Sequence, residues 1–95
     1  MEKLINKTLA IFTNENLTFE DLKGTSRKRE VVITRQCVMY VLAQFCFTRE
    51  TIGALFNRHH STVTHSIQMV ETYWNQYFFI DYKRLIEKAL KNYDT

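Results

Sequence analysis

The sequence predicts a small all-α domain of about five or six helices built around a helix-turn-helix. The 95-residue chain has no proline and only two glycines, so few residues interrupt helix formation. A hydrophobic share of 45% is typical of a folded globular chain. Apolar residues recur three or four positions apart along most of the chain, which is the spacing of one helix face. We expect residues 1–95 to form a single domain.

The N-terminal quarter is expected to contain two helices. Residues 2–13 carry one apolar stripe, formed by Leu4, Ile5, Leu9 and Phe12. A second, short helix should begin after Thr18, because a threonine followed three positions later by Asp21 has the pattern of a capping box. Gly24 should end this helix in a left-handed conformation, which glycine adopts without steric cost.

The longest helix is expected over residues 30–45, and it is apolar over so much of its circumference that it should form the core. Next, Ile52 and Phe56 share one face of a short helix that begins after Thr48. Gly53 in that helix should allow a close approach between helices. Val63, Ile67 and Val70 repeat the apolar spacing after a break too short for a free loop, which predicts a helix-turn-helix.

The second helix of this motif would present hydrogen-bonding side chains at its N-terminal end. A helix N-terminus favours anions, and such side chains suit base edges and phosphates. The candidate DNA contacts here are Arg58, His59, His60, Ser61 and Thr62. His65 lies one turn further on, and a lone helical histidine is about as typical of a surface or packing residue as of a DNA contact. The buried stripe is expected to continue to Trp74 and Tyr77, with Asp81 capping a last helix over residues 82–92.

Positive charge is concentrated in the middle of the chain. Residues 23–65 contain seven Lys or Arg and two acidic residues, an excess of five positive charges, whereas the net charge of the whole chain is +3. Such a distribution is typical of nucleic-acid binders. The basic loop at residues 25–30 (TSRKRE) holds three consecutive cations, Arg27, Lys28 and Arg29. Taken alone, this run is also typical of an ordinary solvated surface.

Two stretches resemble the C-terminal DNA-binding domain of the bacterial replication initiator DnaA. They are SRKREVVITRQCVMYVLAQF (26–45) and ETIGALFNRHHSTVTHSI (50–67). The family's signature Gly-Arg-Asp-His-Ser/Thr-Thr-Val corresponds to residues 57–63, Asn-Arg-His-His-Ser-Thr-Val. The resemblance covers roughly residues 17–73. It departs at Asn57, where the family has glycine, and at His59, where the family has aspartate.

The resemblance implies sequence-specific binding of double-stranded DNA in replication initiation. It implies that Arg27 reaches into the minor groove, and that Arg35 and Gln36 touch the phosphate backbone. Neutral imidazole donates or accepts hydrogen bonds, whereas a carboxylate only accepts them, so His59 predicts a site altered or relaxed at the facing base pair. That preference should vary between about pH 5.5 and 7.5, where histidine titrates. We expect a cytoplasmic protein that binds DNA as a monomer.

Other classes of function find little support in the sequence. It contains no GxxxxGK[ST] loop, activated nucleophile or carboxylate pair, so we expect neither an enzyme nor a cofactor or small-molecule substrate. The three histidines lack the cysteine pair or acid cluster of a zinc site, and we expect no metal. Cys37 and Cys46 are interpreted as apolar packing residues in a reducing compartment. The N-terminus is not typical of a signal peptide, and no stretch has the length of a membrane span.

Aromatic residues near the C-terminus leave two rival functions open. The cluster comprises Tyr73, Trp74, Tyr77, Phe78, Phe79 and Tyr82. It could be a protein-interaction surface or a platform on which single-stranded bases stack. Its spacing favours core packing over both. The sequence also leaves open whether the chain is an excised domain or a stand-alone protein.

Overall fold

A computed structural model describes residues 2–91 and contains six α-helices and one short 3₁₀ helix. The α-helices are α1 (Glu2–Phe12), α2 (Phe19–Lys23), α3 (Arg29–Gln44), α4 (Arg49–Leu55), α5 (His60–Tyr73) and α6 (Ile80–Lys91). The 3₁₀ helix, Tyr77–Phe79, joins α5 to α6. Between 2 and 91 there is no strand, and one isolated bridge pairs Asn14 with Leu17. The all-α prediction is confirmed.

Helix α3 forms the centre of the fold, as its apolar circumference predicted. It packs against α1, α2, α4, α5 and α6. Most of its residues between Val31 and Leu42 are buried, and Cys37, Val38, Met39 and Val41 are fully inaccessible to solvent. Helix α1 covers it with Leu9 and Phe12, while Leu4 and Ile5 of the predicted stripe are half-buried.

The capping box predicted for α2 is present. The backbone N–H of Asp21 donates to Thr18 Oγ1 at 3.2 Å, and the backbone N–H of Thr18 donates to Asp21 Oδ2 at 2.8 Å. The left-handed conformation predicted for Gly24 is wrong, because its φ is −76° and the chain leaves α2 extended. The carbonyls at this end of α2 are instead hydrogen-bonded by two arginine side chains, Arg35 and Arg58.

Left-handed residues end two other helices. Cys46 follows α3 with φ 68°, and Asn57 follows α4 with φ 59°. At each end two backbone bonds close a Schellman motif, for example Arg58 N–H to Gly53 O at 2.7 Å and Phe47 N–H to Leu42 O at 3.2 Å. Cys46 is exposed, so its predicted packing role is wrong, whereas Cys37 is buried as expected.

The predicted helix-turn-helix consists of α4, the turn through Asn57 and α5. Ile52 and Phe56 of the first half are buried, as are Val63, Ile67 and Val70 of the second. A Cβ built on Gly53 would collide with the carbonyl oxygen of Arg58. Gly53 therefore allows the close approach predicted from the sequence, because only a residue without a side chain lets the turn pass so near α4.

The chain after α5 departs from the sequence prediction. Helix α5 ends at Tyr73, and a turn bond from Gln76 N–H to Tyr73 O redirects the chain. Tyr77 is therefore 89% exposed and does not continue the buried stripe; Phe79 is buried in its place. Asp81 lies in the first turn of α6, not at its cap, because α6 begins at Ile80. Ile86 and Ala89 of α6 are buried, and the predicted last residue, 92, lies outside the described part of the chain.

Candidate nucleic-acid interface

The N-terminal end of α5 is a solvent-exposed group of polar side chains. His59 is the N-cap, and its ring nitrogen Nδ1 accepts a hydrogen bond from Ser61 N–H at 3.1 Å. Ser61 Oγ lies 2.8 Å from the same nitrogen. The rings of His59 and His60 pack together with their centroids 4.1 Å apart. Thr62 is exposed beside them, so the structure brings four of the predicted contacts to one helix end.

Further residues extend this exposed face along α5. His65 is exposed one turn beyond Ser61, as expected from the helix period. Gln68 is exposed three positions after His65 and therefore lies on the same side of the helix. Gln68 was not predicted from the sequence, although its spacing of three residues from His65 indicates that it shares that face.

Arg58 points toward α2 and not along α5. One terminal nitrogen of its guanidinium donates to Phe56 O at 2.8 Å and to Lys23 O at 3.1 Å, and the other donates to Gly24 O at 2.5 Å. The side chain is half-buried. In this structure Arg58 therefore locks the turn of the helix-turn-helix to the end of α2.

Arg35 is buried, with 8% of its surface exposed. Its Nε donates to Leu22 O at 2.6 Å, and a terminal nitrogen lies 3.4 Å from both Gly24 O and Ser26 O. Burial lowers the pKa of the Arg35 guanidinium, and the positive charge of Arg58 lowers it further. Arginine remains protonated under such a shift. The buried Arg35 cation therefore holds the start of the basic loop through hydrogen bonds to backbone carbonyls.

Gln36 is also buried, at 8% exposure. Within the described part of the chain its Oε1 has no hydrogen-bond partner. The resemblance implies that both Arg35 and Gln36 touch the phosphate backbone. The structure encloses both side chains, so neither lies in the exposed group at the start of α5.

The basic loop leaves its cations in solvent. Arg27, Lys28 and Arg29 are all exposed. Just before α3, the backbone N–H of Lys28 donates to Ser26 Oγ at 3.3 Å. A terminal nitrogen of Arg35 contacts the carbonyl oxygen of Ser26. The guanidinium of Arg29 lies 4.7 Å from the centre of the Phe78 ring. Arg27 and Lys28 are therefore presented by a tethered loop, while Arg29 also contacts the aromatic cluster.

Comparison with known proteins identifies the family. The profile of the bacterial dnaA protein helix-turn-helix matches residues 4–70. The chain belongs to this family. It is a family of DNA-binding domains and not of enzymes, which confirms the prediction that this chain has no catalytic function.

Several curated relatives support the assignment. The chromosomal replication initiator protein DnaA of Pseudothermotoga lettingae is 37% identical over 75 residues, which are 78% of this chain and 16% of that protein. The protein of the same name from Kosmotoga olearia is 42% identical over 53 residues, covering 55% of this chain and 12% of the relative. The chain thus spans about a sixth or less of the length of these relatives.

The described residues were also compared with what a membrane-spanning helix and a metal site require. None of the helices between residues 2 and 91 is both long enough and apolar enough to cross a membrane. The same residues contain no group of three or more His, Cys, Asp or Glu side chains arranged to hold a metal ion.

Proposed function

We propose that this domain binds double-stranded DNA in a sequence-specific manner, with α5 in the major groove. The observation that carries the proposal is the exposed group His59, His60, Ser61 and Thr62 at the start of α5, in a helix-turn-helix whose second helix reads base edges. Two contacts hold this end of α5 in place. Arg58 donates hydrogen bonds to the carbonyls at the end of α2, and the backbone carbonyl of Arg58 packs closely against Gly53. A preorganised surface loses less conformational entropy on binding.

The basic loop would add contacts outside the major groove. We assign Arg27 to the minor groove, where the narrow groove of A·T-rich DNA has a strongly negative potential that attracts arginine. Lys28 and Arg29 are exposed beside it and would contact phosphates, which position the protein without reading sequence. His65 would extend the α5 contacts by one turn.

Arg35, Arg58 and Gln36 have a different part in this proposal. The two guanidinium groups orient the recognition helix and the basic loop relative to each other through the carbonyls of residues 22–26. We propose that these two arginines act on DNA binding through this geometry. Gln36, buried on α3, would act only by packing.

The relatives carry the name of a chromosomal replication initiator, and the proposed DNA site is therefore one related to those that initiators bind at a replication origin. Because the chain spans so little of those proteins, the proposal is limited to DNA binding by one domain, as a monomer in the cytoplasm. The proposal requires no metal ion, and residues 2–91 contain no group of three or more His, Cys, Asp or Glu side chains arranged to hold one.

Selection of duplexes from a random pool tests the proposal. We expect a defined motif to be enriched, and Ser61→Glu should abolish the enrichment because its carboxylate would repel phosphate at the start of α5. A carboxylate in a first helical turn does not destabilise the fold. Thr72→Glu, the same charge change at the exposed far end of α5, is the matched control and should enrich the native motif. Failure to enrich any motif, with the native fold verified, would refute the proposal.

A second candidate function is a protein-interaction module, favoured by one observation. Tyr77, Phe78 and Ile80 expose 89%, 41% and 41% of their surfaces at the junction of α5 and α6. This patch lies near the opposite end of α5 from His60, about 20 Å away by helix rise. Binding of single strands as tightly as duplexes, lost on Tyr77→Ala and Phe78→Ala, would instead assign the patch to base stacking.

A further inference from the structure

We infer that His59 recognises an acceptor on a base edge, with its Nε2–H as the donor. The inference rests on the proposed function and specifies which chemical group of the base His59 reads. It starts from the capping bond: the backbone N–H of Ser61 points at Nδ1 of His59 at 3.1 Å. A backbone N–H can only donate, so Nδ1 must supply a lone pair.

A neutral imidazole ring carries a single N–H proton, which lies on either Nδ1 or Nε2. With Nδ1 acting as the acceptor of the cap, the proton is on Nε2. The hydroxyl of Ser61, 2.8 Å from Nδ1, is compatible with this tautomer because a hydroxyl can also donate. The fold of the helix end therefore fixes the tautomer of the side chain, as hydrogen bonds commonly do for histidine.

The consequence concerns the atom that faces outward. His59 is exposed and precedes the first turn of α5, so Nε2–H is the polar group it can offer to DNA. Protonation adds a proton to Nδ1 and leaves Nε2 a donor. Within residues 2–91 neither His60, whose ring packs 4.1 Å away, nor Arg58, whose guanidinium faces the α2 carbonyls, hydrogen-bonds Nε2 of His59. Nε2 of His59 is thus a donor in both charge states, so this geometry does not support the pH-dependent base preference expected from the sequence.

A donor of this kind selects among bases by a simple rule. In the major groove guanine offers two acceptors, N7 and O6, whereas cytosine offers the N4 amine, which is itself a donor. We expect the native protein to prefer guanine over cytosine at the contacted position by about threefold to tenfold, the range of one net hydrogen bond. An acceptor-only side chain would have the reverse preference.

Two substitutions, which are isosteric with each other, separate the capping role of His59 from its contact with a base. Asparagine and aspartate are both good N-caps, so His59→Asn and His59→Asp should preserve α5. Asparagine retains a donor beside its capping oxygen, whereas aspartate has only acceptors. We expect His59→Asn to keep the preference for guanine over cytosine and His59→Asp to shift the preference toward cytosine on the same strand.

The experiment measures binding of the three proteins to duplexes that carry each of the four bases at every position of the selected motif. Identical rankings of the bases for all three proteins would overturn the inference while leaving the proposed function intact. Absence of any selected motif would refute the proposed function itself. Nitrogen-15 NMR of the free protein provides a test without DNA: we expect the proton on Nε2, and a proton on Nδ1 in the neutral ring would overturn the inference.

Discussion

Arg35 and Arg58 donate hydrogen bonds to the same two carbonyl oxygens, those of Leu22 and Gly24. Arg35 reaches Leu22 O at 2.6 Å and Gly24 O at 3.4 Å, and Arg58 reaches them at 3.4 and 2.5 Å. The two cations oppose each other electrostatically, which contributes to the lowered pKa of Arg35. They are held together because the carbonyls at the end of α2 carry the negative pole of a short helix. The arrangement connects the basic loop, the core helix and the recognition helix at one point.

The first prediction is that these two arginines stabilise the fold. Arg35→Gln should lower the free energy of unfolding by about 2–3 kcal/mol, because a buried charged donor leaves carbonyls unpaired. Arg58→Gln should lower it less, since its side chain is half-buried. Arg27→Gln is the control, an exposed residue expected to change stability by less than about 0.5 kcal/mol. Urea unfolding followed by circular dichroism measures all three, and native stability of Arg35→Gln would show that the carbonyl contacts contribute nothing.

The second prediction concerns the close approach at Gly53. Alanine in place of glycine normally stabilises a helix by about 1 kcal/mol. At this position the added methyl group would collide with the carbonyl of Arg58, so Gly53→Ala should destabilise the domain by about 1–3 kcal/mol. It should also weaken DNA binding by displacing the start of α5. Thermal unfolding and duplex titration check the two effects; a stabilised variant would contradict the packing described here.

The third prediction concerns the backbone conformation at two helix ends, which is left-handed at Cys46 and extended at Gly24. Cys46→Gly should stabilise the domain by about 0.5–1 kcal/mol, because a cysteine at φ 68° is strained and glycine is not. Gly24→Ala should also be tolerated, since φ is −76° and the nearest atom to the new methyl carbon, Glu20 O, would lie at 3.4 Å. Destabilisation of Gly24→Ala by more than about 1 kcal/mol would contradict the extended conformation at that residue.

Local patterns predicted most of the fold. The capping box of Thr18 and Asp21 and the burial of Val63, Ile67 and Val70 follow from spacing alone, and each is confirmed. The end of α5 was not predictable in this way, because no glycine or proline lies between residues 73 and 80. Left-handed helix ends were assigned to glycine, whereas the chain uses Cys46 and Asn57. At both positions backbone N–H groups bond back to carbonyls of the preceding helix, and cysteine, unlike glycine or asparagine, is not a residue type that indicates such a helix end.

The candidate site was predicted only in part. Exposed polar residues at the start of α5 follow from the motif, because a helix-turn-helix fixes which end of its second helix is free. Arg35 could not be distinguished from a surface arginine, since its partners are backbone carbonyls, which every residue has. Nothing in the sequence indicates that the carbonyl groups of residues 22, 24 and 26 are the hydrogen-bond partners of Arg35. Side chains that bind distant backbone groups therefore have no sequence signature.

The fourth prediction concerns alkaline stability. Burial raises the pKa of the Cys37 thiol from its ordinary value of 9.0 to about 12. Below pH 9 the thiol is protonated in both folded and unfolded chains, so its full contribution is present there. Between about pH 9 and 12 the Cys37 thiol ionises only in the unfolded chain. This group should therefore lower the free energy of unfolding by up to about 1.4 kcal/mol per pH unit. Cys37→Ala should show a shallower decline than the native protein over that range, measured by urea unfolding. Equal slopes would show that the thiol is not protected from ionisation.

The last prediction concerns the charges left free for DNA. Arg35 and Arg58 are occupied by carbonyls, whereas Arg27, Lys28, Arg29 and Arg49 are exposed cations. If these four neutralise phosphates, a plot of log affinity against log salt concentration should have a slope of about −3 to −4.

Arg27→Ala separates minor-groove binding from this general attraction. We expect it to weaken binding by about 1–3 kcal/mol, most strongly on sites with A·T-rich flanks, and to reduce the slope by about 1. Lys88→Ala, which removes an exposed cation from the last turn of α6, is the matched control and should change neither quantity. Arg27 is exposed in a polar loop, so Arg27→Ala should leave the fold intact and a loss of affinity should reflect the DNA contact. A slope near zero for the native protein would exclude phosphate contacts as the source of affinity, and equal losses on all flanks would place Arg27 on the backbone and outside the groove.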